Sequence, residues 1–230
     1  MRGVFVTGTD TEVGKTIVAS VIAATLAGTG ERVAAFKPAV TGLDDPAGMA
    51  PDHALLKRSA GSEQPLDAIA PYRFGPAVSP HLAAELAGVE IAPGHLIAAA
   101  EAAAAPADAL VVEGVGGLLV PLAPRYLVRD FAAELGLPLV IAARRGLGTI
   151  NHTLMTIECA RSADLEIAGV VLTPWPRFPG EIERSNREAI ERYGSVETFV
   201  LPQLDGRSMP PECSLPVTRW ISTAQSPLAA

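Results

Sequence analysis

Aromatic side chains make up only 5% of this 230-residue chain, and its cysteines number two. Cys159 and Cys213 stand far apart and in no metal-ligand spacing, which excludes a disulfide scaffold and a cysteine-held metal. Both are read as reduced thiols of a cytosolic protein. Long apolar runs are missing too. The Ala-rich stretch from Leu96 to Ala105 is too short to cross a bilayer and carries Glu101, so no membrane partner is expected. Met1-Arg2-Gly3 leads straight into an apolar strand, which leaves no signal peptide and predicts a soluble, cytoplasmic protein. Positive charge is not in excess. At a net −7, a nucleic-acid surface held by phosphate contacts is excluded. No Ser/His/Asp or Cys/His constellation for nucleophilic catalysis is legible either.

What the chain does have is apolar material, 49% of its residues, enough for one large α/β domain. Strand-like and helix-like segments alternate. Strands are predicted over Met1–Val6, Arg32–Phe36, Ala109–Val112, Leu139–Ala142, Ile167–Leu172 and Thr198–Leu201. Helices are predicted over Thr16–Leu26, Asp52–Ala60, His81–Ala87, Gly94–Ala105, Val128–Leu135, His152–Ala163 and Glu181–Tyr193, with Asn151 as an N-cap. This alternation implies a mostly parallel sheet with helices on both faces and ligands at the C-terminal strand ends. No repeat or linker divides residues 1–230, and the Pro- and Ser-rich tail from 205 to 230 is expected to dock loosely on the surface.

The first strand runs into Thr7-Gly8-Thr9-Asp10-Thr11-Glu12-Val13-Gly14-Lys15-Thr16. Gly14-Lys15-Thr16 is the ending of a phosphate-binding loop: backbone N–H groups face phosphate oxygens, the lysine adds charge, and the threonine hydroxyl can ligate Mg²⁺. Five residues rather than the usual four separate Gly8 from Gly14. The fold class that follows is a single-domain, P-loop NTPase-like α/β fold.

Other candidates lie just past predicted strand ends. Lys37, in Lys37-Pro38-Ala39-Val40-Thr41-Gly42, could neutralise charge on a transferring phosphoryl group or simply be a solvated strand end. Glu113 closes a doubly buried strand and precedes Gly114-Val115-Gly116-Gly117, a setting that suits a Mg²⁺ ligand better than a surface charge. Asp52 opens a helix, where a carboxylate also serves the helix dipole. Ser79-Pro80-His81 is an ordinary helix start, and His81 is taken as structural. Gly146-Leu147-Gly148-Thr149-Ile150-Asn151 is a glycine-rich connection into a helix whose N–H groups can bind an anion. Arg144 and Arg145 before it are assigned no role.

The phrase from Gly8 to Thr16 resembles the nucleotide loop of the dethiobiotin synthetases, ATP-dependent ligases that close a ureido ring. Three further segments carry the same resemblance: Lys37–Gly42, Val112–Gly117 and Gly146–Thr153. The family resemblance implies catalysis by Lys15 and Lys37 and Mg²⁺ held by Thr16, Asp52 and Glu113. It implies a nucleotide site along Glu12, Val13, Gly14, Lys15, Thr16 and Ile17, with Asp52, Glu113, Gly114, Val115 and Gly116 beside the phosphates. Thr173, Pro174, Leu201, Pro202 and Gln203 then fall at the base. The substrate 7,8-diaminononanoate would meet Thr11, Thr41, Ser79, Pro80, Gly116 and, across a homodimer interface, Thr149, Ile150 and Asn151. CO₂ or bicarbonate and ATP would be the co-substrates. Truncating Lys15 or Lys37 is expected to stop ring closure and leave the fold intact.

Two rivals are weaker. Amidotransferase ligases acting on corrinoid acids resemble this loop but need a glutaminase domain for which the chain has no room. Partitioning ATPases carry an additional lysine near the loop start, where this chain has Gly8-Thr9-Asp10. In many dethiobiotin synthetases an Asn after the fifth strand reads adenine. Thr173-Pro174-Trp175-Pro176 stands there instead, which predicts weak base reading and use of other nucleoside triphosphates besides ATP.

Overall fold

Val4, Phe5 and Val6 are all fully buried, yet they serve two different cores. Side chains alternate across a strand, so Phe5 enters one apolar layer while Val4 and Val6 enter the other. A strand with water on neither face reads as a continuous apolar run, which is why it stood out in the sequence. The computed structural model describes residues 1–44, 50–204 and 215–223.

Along the chain, β1 (Arg2–Gly8) is followed by α1 (Lys15–Gly28), β2 (Val33–Phe36), β3 (Ala39–Val40), α2 (Asp52–Ala60), α3 (Leu66–Ile69) and β4 (Tyr72–Arg73). Then come α4 (Pro80–Ala87), α5 (Pro93–Ala104), β5 (Ala109–Glu113), β6 (Pro121–Ala123), β7 (Tyr126–Leu127) and α6 (Val128–Leu135). The rest is β8 (Leu139–Ala143), α7 (Thr149–Arg161), β9 (Ile167–Trp175), α8 (Glu181–Gly194), β10 (Thr198–Pro202), α9 (Val217–Trp220) and β11 (Ser222–Thr223). The main sheet runs β10-β9-β8-β1-β5-β2, all parallel, as the βα alternation predicted.

From β1 the chain winds first to one side, through β2 and β5, and then to the other, through β8, β9 and β10. The direction of winding reverses beside β1, so the loops at its C-terminal end open on a crevice, where such sheets bind ligands. Helices α1, α2 and α9 cover one face through Ile22, Leu26, Leu56 and Trp220. On the other face lie α4 to α8, with Phe131 set edge-on to Phe5 at 5.9 Å between ring centres. The outer edge of β2 is not left bare: Gln64 accepts a hydrogen bond from Ala35 N at 2.8 Å, and Lys37 N donates to Ile69 O at 2.8 Å.

Two expectations are corrected. Asn151 is not an N-cap. Gly148 holds that position at φ 90°, a left-handed backbone that glycine adopts without strain, and the helix begins at Thr149. Nor is residues 215–223 a loosely docked stretch. Trp220 is 3% exposed, and β11 pairs antiparallel with β1, Arg2 opposite Thr223. Leu215, Val217, Trp220 and Ile221 supply enough apolar surface to belong to the core. The remainder of the predicted tail, 205–214 and 224–230, lies outside the described residues together with Cys213. Cys159 is a free thiol.

Candidate active site at the C-terminal edge of the sheet

The turn from β1 into α1 is built around its two glycines. Gly14 is the N-cap of α1 at φ 91°, and a Cβ there would lie 2.5 Å from the Thr173 methyl carbon. Between them the five-residue span carries Glu12 at φ 55°, a left-handed backbone on a non-glycine residue. The loop is anchored by Thr9 N donating to Ala142 O at 3.0 Å, and Lys15 Nζ curls back to Asp10 O at 2.8 Å. Free N–H groups at the start of α1, with the helix dipole behind them, make an anion site. Burial, reinforced by the positive charge of Lys37, pushes the Lys15 pKa below its ordinary value.

Beside this loop three chain segments meet. Lys37 Nζ donates to Glu113 Oε1 at 2.6 Å and pairs with Asp52 Oδ2 at 2.8 Å. Thr16 Oγ1, one residue into α1, donates to the same Glu113 oxygen at 2.8 Å. The side chains of Lys37 and Glu113 are 4% and 0% exposed, whereas that of Asp52 is 46% exposed. Burial works against the Lys37 ammonium, but the charges of Glu113 and Asp52 outweigh it and hold its pKa above the ordinary lysine value. Asp52 is also opposed by burial, and its pairing with Lys37 brings its pKa below the ordinary carboxylate range.

Glu113 Oε2 is buried with no hydrogen-bond partner among the described residues. Thr16, Asp52 and Glu113 together offer a hydroxyl and two carboxylates, the hard oxygen donors that Mg²⁺ takes, and that unmatched oxygen is the kind of acceptor a cation satisfies. The donor set fits the ion.

The remaining predicted residues fall into three groups. Gly114 N donates to Val6 O at 2.8 Å, and a Cβ on Gly117 would sit 3.3 Å from Gly8 O, so the Gly114–Gly117 turn with Val115 and Gly116 lies against the phosphate loop. The Thr41 turn is stitched to the segment leading into Ser79 and Pro80: Phe74 N donates to Val40 O at 2.8 Å, and Gly42 N to Pro76 O at 3.0 Å. Thr173 and Pro174 lie near the C-terminal end of strand β9, and Leu201, Pro202 and Gln203 at the end of β10, with Pro202 in register with Trp175. Thr11 lies within the loop, and Ile17 follows it in the first turn of α1.

Thr149, Ile150 and Asn151 form the first turn of α7. Thr149 is buried and its hydroxyl donates to Arg144 O, whereas Asn151 is exposed on α7 beside Met155. No hydrogen bond joins them to the Thr41 and Ser79 turns among the described residues. The missed residue is Arg144. Its Nη2 donates to Thr11 O at 3.2 Å and lies 3.5 Å from Asp10 Oδ2, tying the α7 loop to the phosphate loop. Its place one residue past β8 was the available signal.

A family model described as an AAA domain matches residues 2–206. The ATP-dependent dethiobiotin synthetase BioD of Anaeromyxobacter dehalogenans (strain 2CP-C) is 46% identical over 172 residues, covering 75% of this chain and 76% of its own length. The protein of the same name from Bacillus subtilis (strain 168) is 38% identical over 205 residues, covering 89% and 88%. Among solved structures, the MinC:MinD cell division protein complex of Aquifex aeolicus is similar at TM-score 0.56 and 16% identity, over 89% of this chain and 83% of that one. A ParA family ATPase from Chlorobium tepidum TLS is similar at TM-score 0.53 and 14% identity, over 89% and 85%. At such identities the likeness shows a shared fold alone.

Proposed function

Because the chain belongs to the ATP-dependent dethiobiotin synthetases, we propose a division of labour among its residues in which Lys15 and Lys37 are the catalytic pair. ATP-dependent ring closure in biotin biosynthesis is the reaction of this family, and the chain is a ligase of that kind. The observation that carries the assignment is that Lys15 opens α1 at the anion site while Lys37, one residue past β2, is held beside Thr16 of that helix through their shared partner Glu113 Oε1.

In the proposed sequence, one amine of 7,8-diaminononanoate takes up CO₂ and loses a proton to give a carbamate. A carbamate oxygen attacks the γ-phosphorus of ATP, the bond to ADP breaks, and a carbamic–phosphoric anhydride forms. The second amine attacks the carbamoyl carbon, loses a proton and expels phosphate, which closes the ring. Lys15 and the N–H groups from Glu12 to Thr16 bind and orient the triphosphate. Lys37 neutralises charge that builds on the transferring phosphoryl and on the leaving oxygen. Thr16, Asp52 and Glu113 would hold Mg²⁺, which supplies further positive charge to the phosphate oxygens when bound. No side chain acts as a nucleophile.

The diamine is assigned to Gly116, whose turn lies against the phosphate loop, and to the Thr41 and Ser79–Pro80 turns. Its carboxylate tail is assigned to the start of α7 in a partner subunit of a two-fold dimer. A fully exposed Leu147 just before α7, with Met155 exposed on the same helix, supports a surface covered by a second copy. Among the described residues no helix is long and apolar enough to cross a membrane, and a cytoplasmic location is proposed on the family's chemistry. The test is phosphate release with and without the diamine and bicarbonate, alongside mass detection of dethiobiotin. Phosphate release indifferent to both co-substrates would overturn the reading.

A further inference from the structure

The carboxylates assigned to the metal are already in use. Lys37 Nζ sits 2.6 Å from Glu113 Oε1 and 2.8 Å from Asp52 Oδ2, and the Thr16 hydroxyl donates to that same Glu113 oxygen at 2.8 Å. Each of the three assigned ligands thus has an oxygen engaged with another of them or with the ammonium, and Glu113 Oε2 is left without a partner among the described residues. Glu113 is fully buried, and a buried carboxylate needs a countercharge, which Lys37 provides. Lys37 spans both carboxylates at once, within 2.8 Å of an oxygen of each. A divalent cation approaching this group meets a buried ammonium within hydrogen-bond reach of the oxygens it needs.

We propose that Lys37 is a built-in substitute for the metal: it holds the cation site shut in the nucleotide-free protein and yields it when a triphosphate arrives. The triphosphate brings several negative charges to the start of α1, which turns the local balance strongly negative. It also gives the ammonium a third anionic partner besides Glu113 and Asp52. Lysine suits this exchange because its charge is a point on a flexible four-carbon stem rather than a planar fork. Metal and nucleotide then bind as one unit, and the coupling is reciprocal: whatever strengthens one strengthens the other. Lys37 thereby acts twice, first as a guard on two carboxylates and afterwards at the phosphoryl group. The inference rests on the assignment of Thr16, Asp52 and Glu113 as metal ligands.

The test measures Mn²⁺ binding to the nucleotide-free protein by the loss of the free-ion electron paramagnetic resonance signal. Lys37→Met keeps the stem and removes the competing charge, and should bind Mn²⁺ about tenfold tighter than the wild type or more. Lys37→Arg keeps a charge in place and should stay weak. Equal or weaker binding by a folded Lys37→Met protein overturns the exchange, while the metal assignment stands if wild type still takes Mn²⁺ with a non-hydrolysable ATP analogue. If no Mn²⁺ binds in any of these states, the metal assignment fails with it. Should Lys37→Met not fold, ¹⁵N spectra of the lysine side chains of wild type decide the matter, with the Lys37 signal assigned by its loss in Lys37→Arg. That signal should stay unmoved by Mg²⁺ alone and shift when Mg²⁺ and the analogue are added together. A shift with Mg²⁺ alone overturns the proposal.

Discussion

The methyl group of Thr173 occupies the space that a side chain on Gly14 would need: a Cβ at Gly14 would stand 2.5 Å from Thr173 Cγ2. The end of β9 therefore bears directly on the N-cap of α1, and the backbone there is left-handed at φ 91°.

Gly14→Ala should lose nucleotide binding, read as the disappearance of the rise in melting temperature that ATP with Mg²⁺ gives the wild type. Stability should fall as well, by about 1–2 kcal/mol for the left-handed backbone plus the cost of the clash. Thr173→Ser in the same chain removes the offending methyl and should return part of that loss but not the backbone part, so the two changes should not add. Strict additivity in thermal melts would show that Thr173 does not press on the loop.

The two lysines should separate. Lys15 hydrogen-bonds only a loop carbonyl of Asp10 among the described residues, so Lys15→Ala should keep near-normal stability while turnover falls by roughly 10²–10³. Lys37→Ala should lose activity and also about 3–5 kcal/mol of stability, because it strands a fully buried Glu113. That differs from the expectation that both truncations leave the fold intact. Adding Glu113→Gln to Lys37→Ala should recover most of the stability, and urea titrations check it.

Base selection should be weak. Thr173 is 4% exposed and its methyl is directed at Gly14, which commits the side chain to the loop rather than to a purine edge. GTP, CTP and UTP should each support turnover within roughly tenfold of ATP, about 1.4 kcal/mol. A hundredfold preference for ATP in side-by-side assays would mean that another group reads adenine.

The dimer should be needed for catalysis. Leu147→Glu alters a fully exposed residue, so its effect on the folding of a single chain should stay within about 0.5 kcal/mol. Sedimentation should show a shift to monomer, with most of the activity lost in proportion. A fully active monomer at assay concentration would remove Thr149–Asn151 of a partner subunit from the substrate site.

What could be seen in the sequence, and what could not, divides along local and distant causes. The phosphate loop was legible in Gly14-Lys15-Thr16, and the main strands because Val4–Val6, Leu110–Val112 and Val140–Ala142 are buried on both faces and so read as unbroken apolar runs. Strands β3 and β4 had no such signal: Ala39–Val40 and Tyr72–Arg73 are extended only because each finds the other. The start of α7 was misplaced because Asn151 looks like a cap, while Gly148 wins through its backbone rather than its side chain. Lys37 was singled out for the phosphoryl group, and Asp52 and Glu113 for the metal. That they grip one another depends on β2, α2 and β5 ending at one place, and no spacing along the chain encodes it.

The pairing of β1 with β11 has a consequence for how the protein is made. The strand that feeds the phosphate loop takes all of its partners from later in the chain: Leu110 on one edge, then Leu139 and Ser222 on the other. As synthesis proceeds, β1 leaves the ribosome long before any of them. It must wait as an exposed apolar segment, which is the situation that invites chaperone capture or wrong pairing. The nucleotide-binding turn cannot be set firmly until most of the chain has emerged, so a prematurely halted chain would bear the loop's residues without the ability to hold a triphosphate.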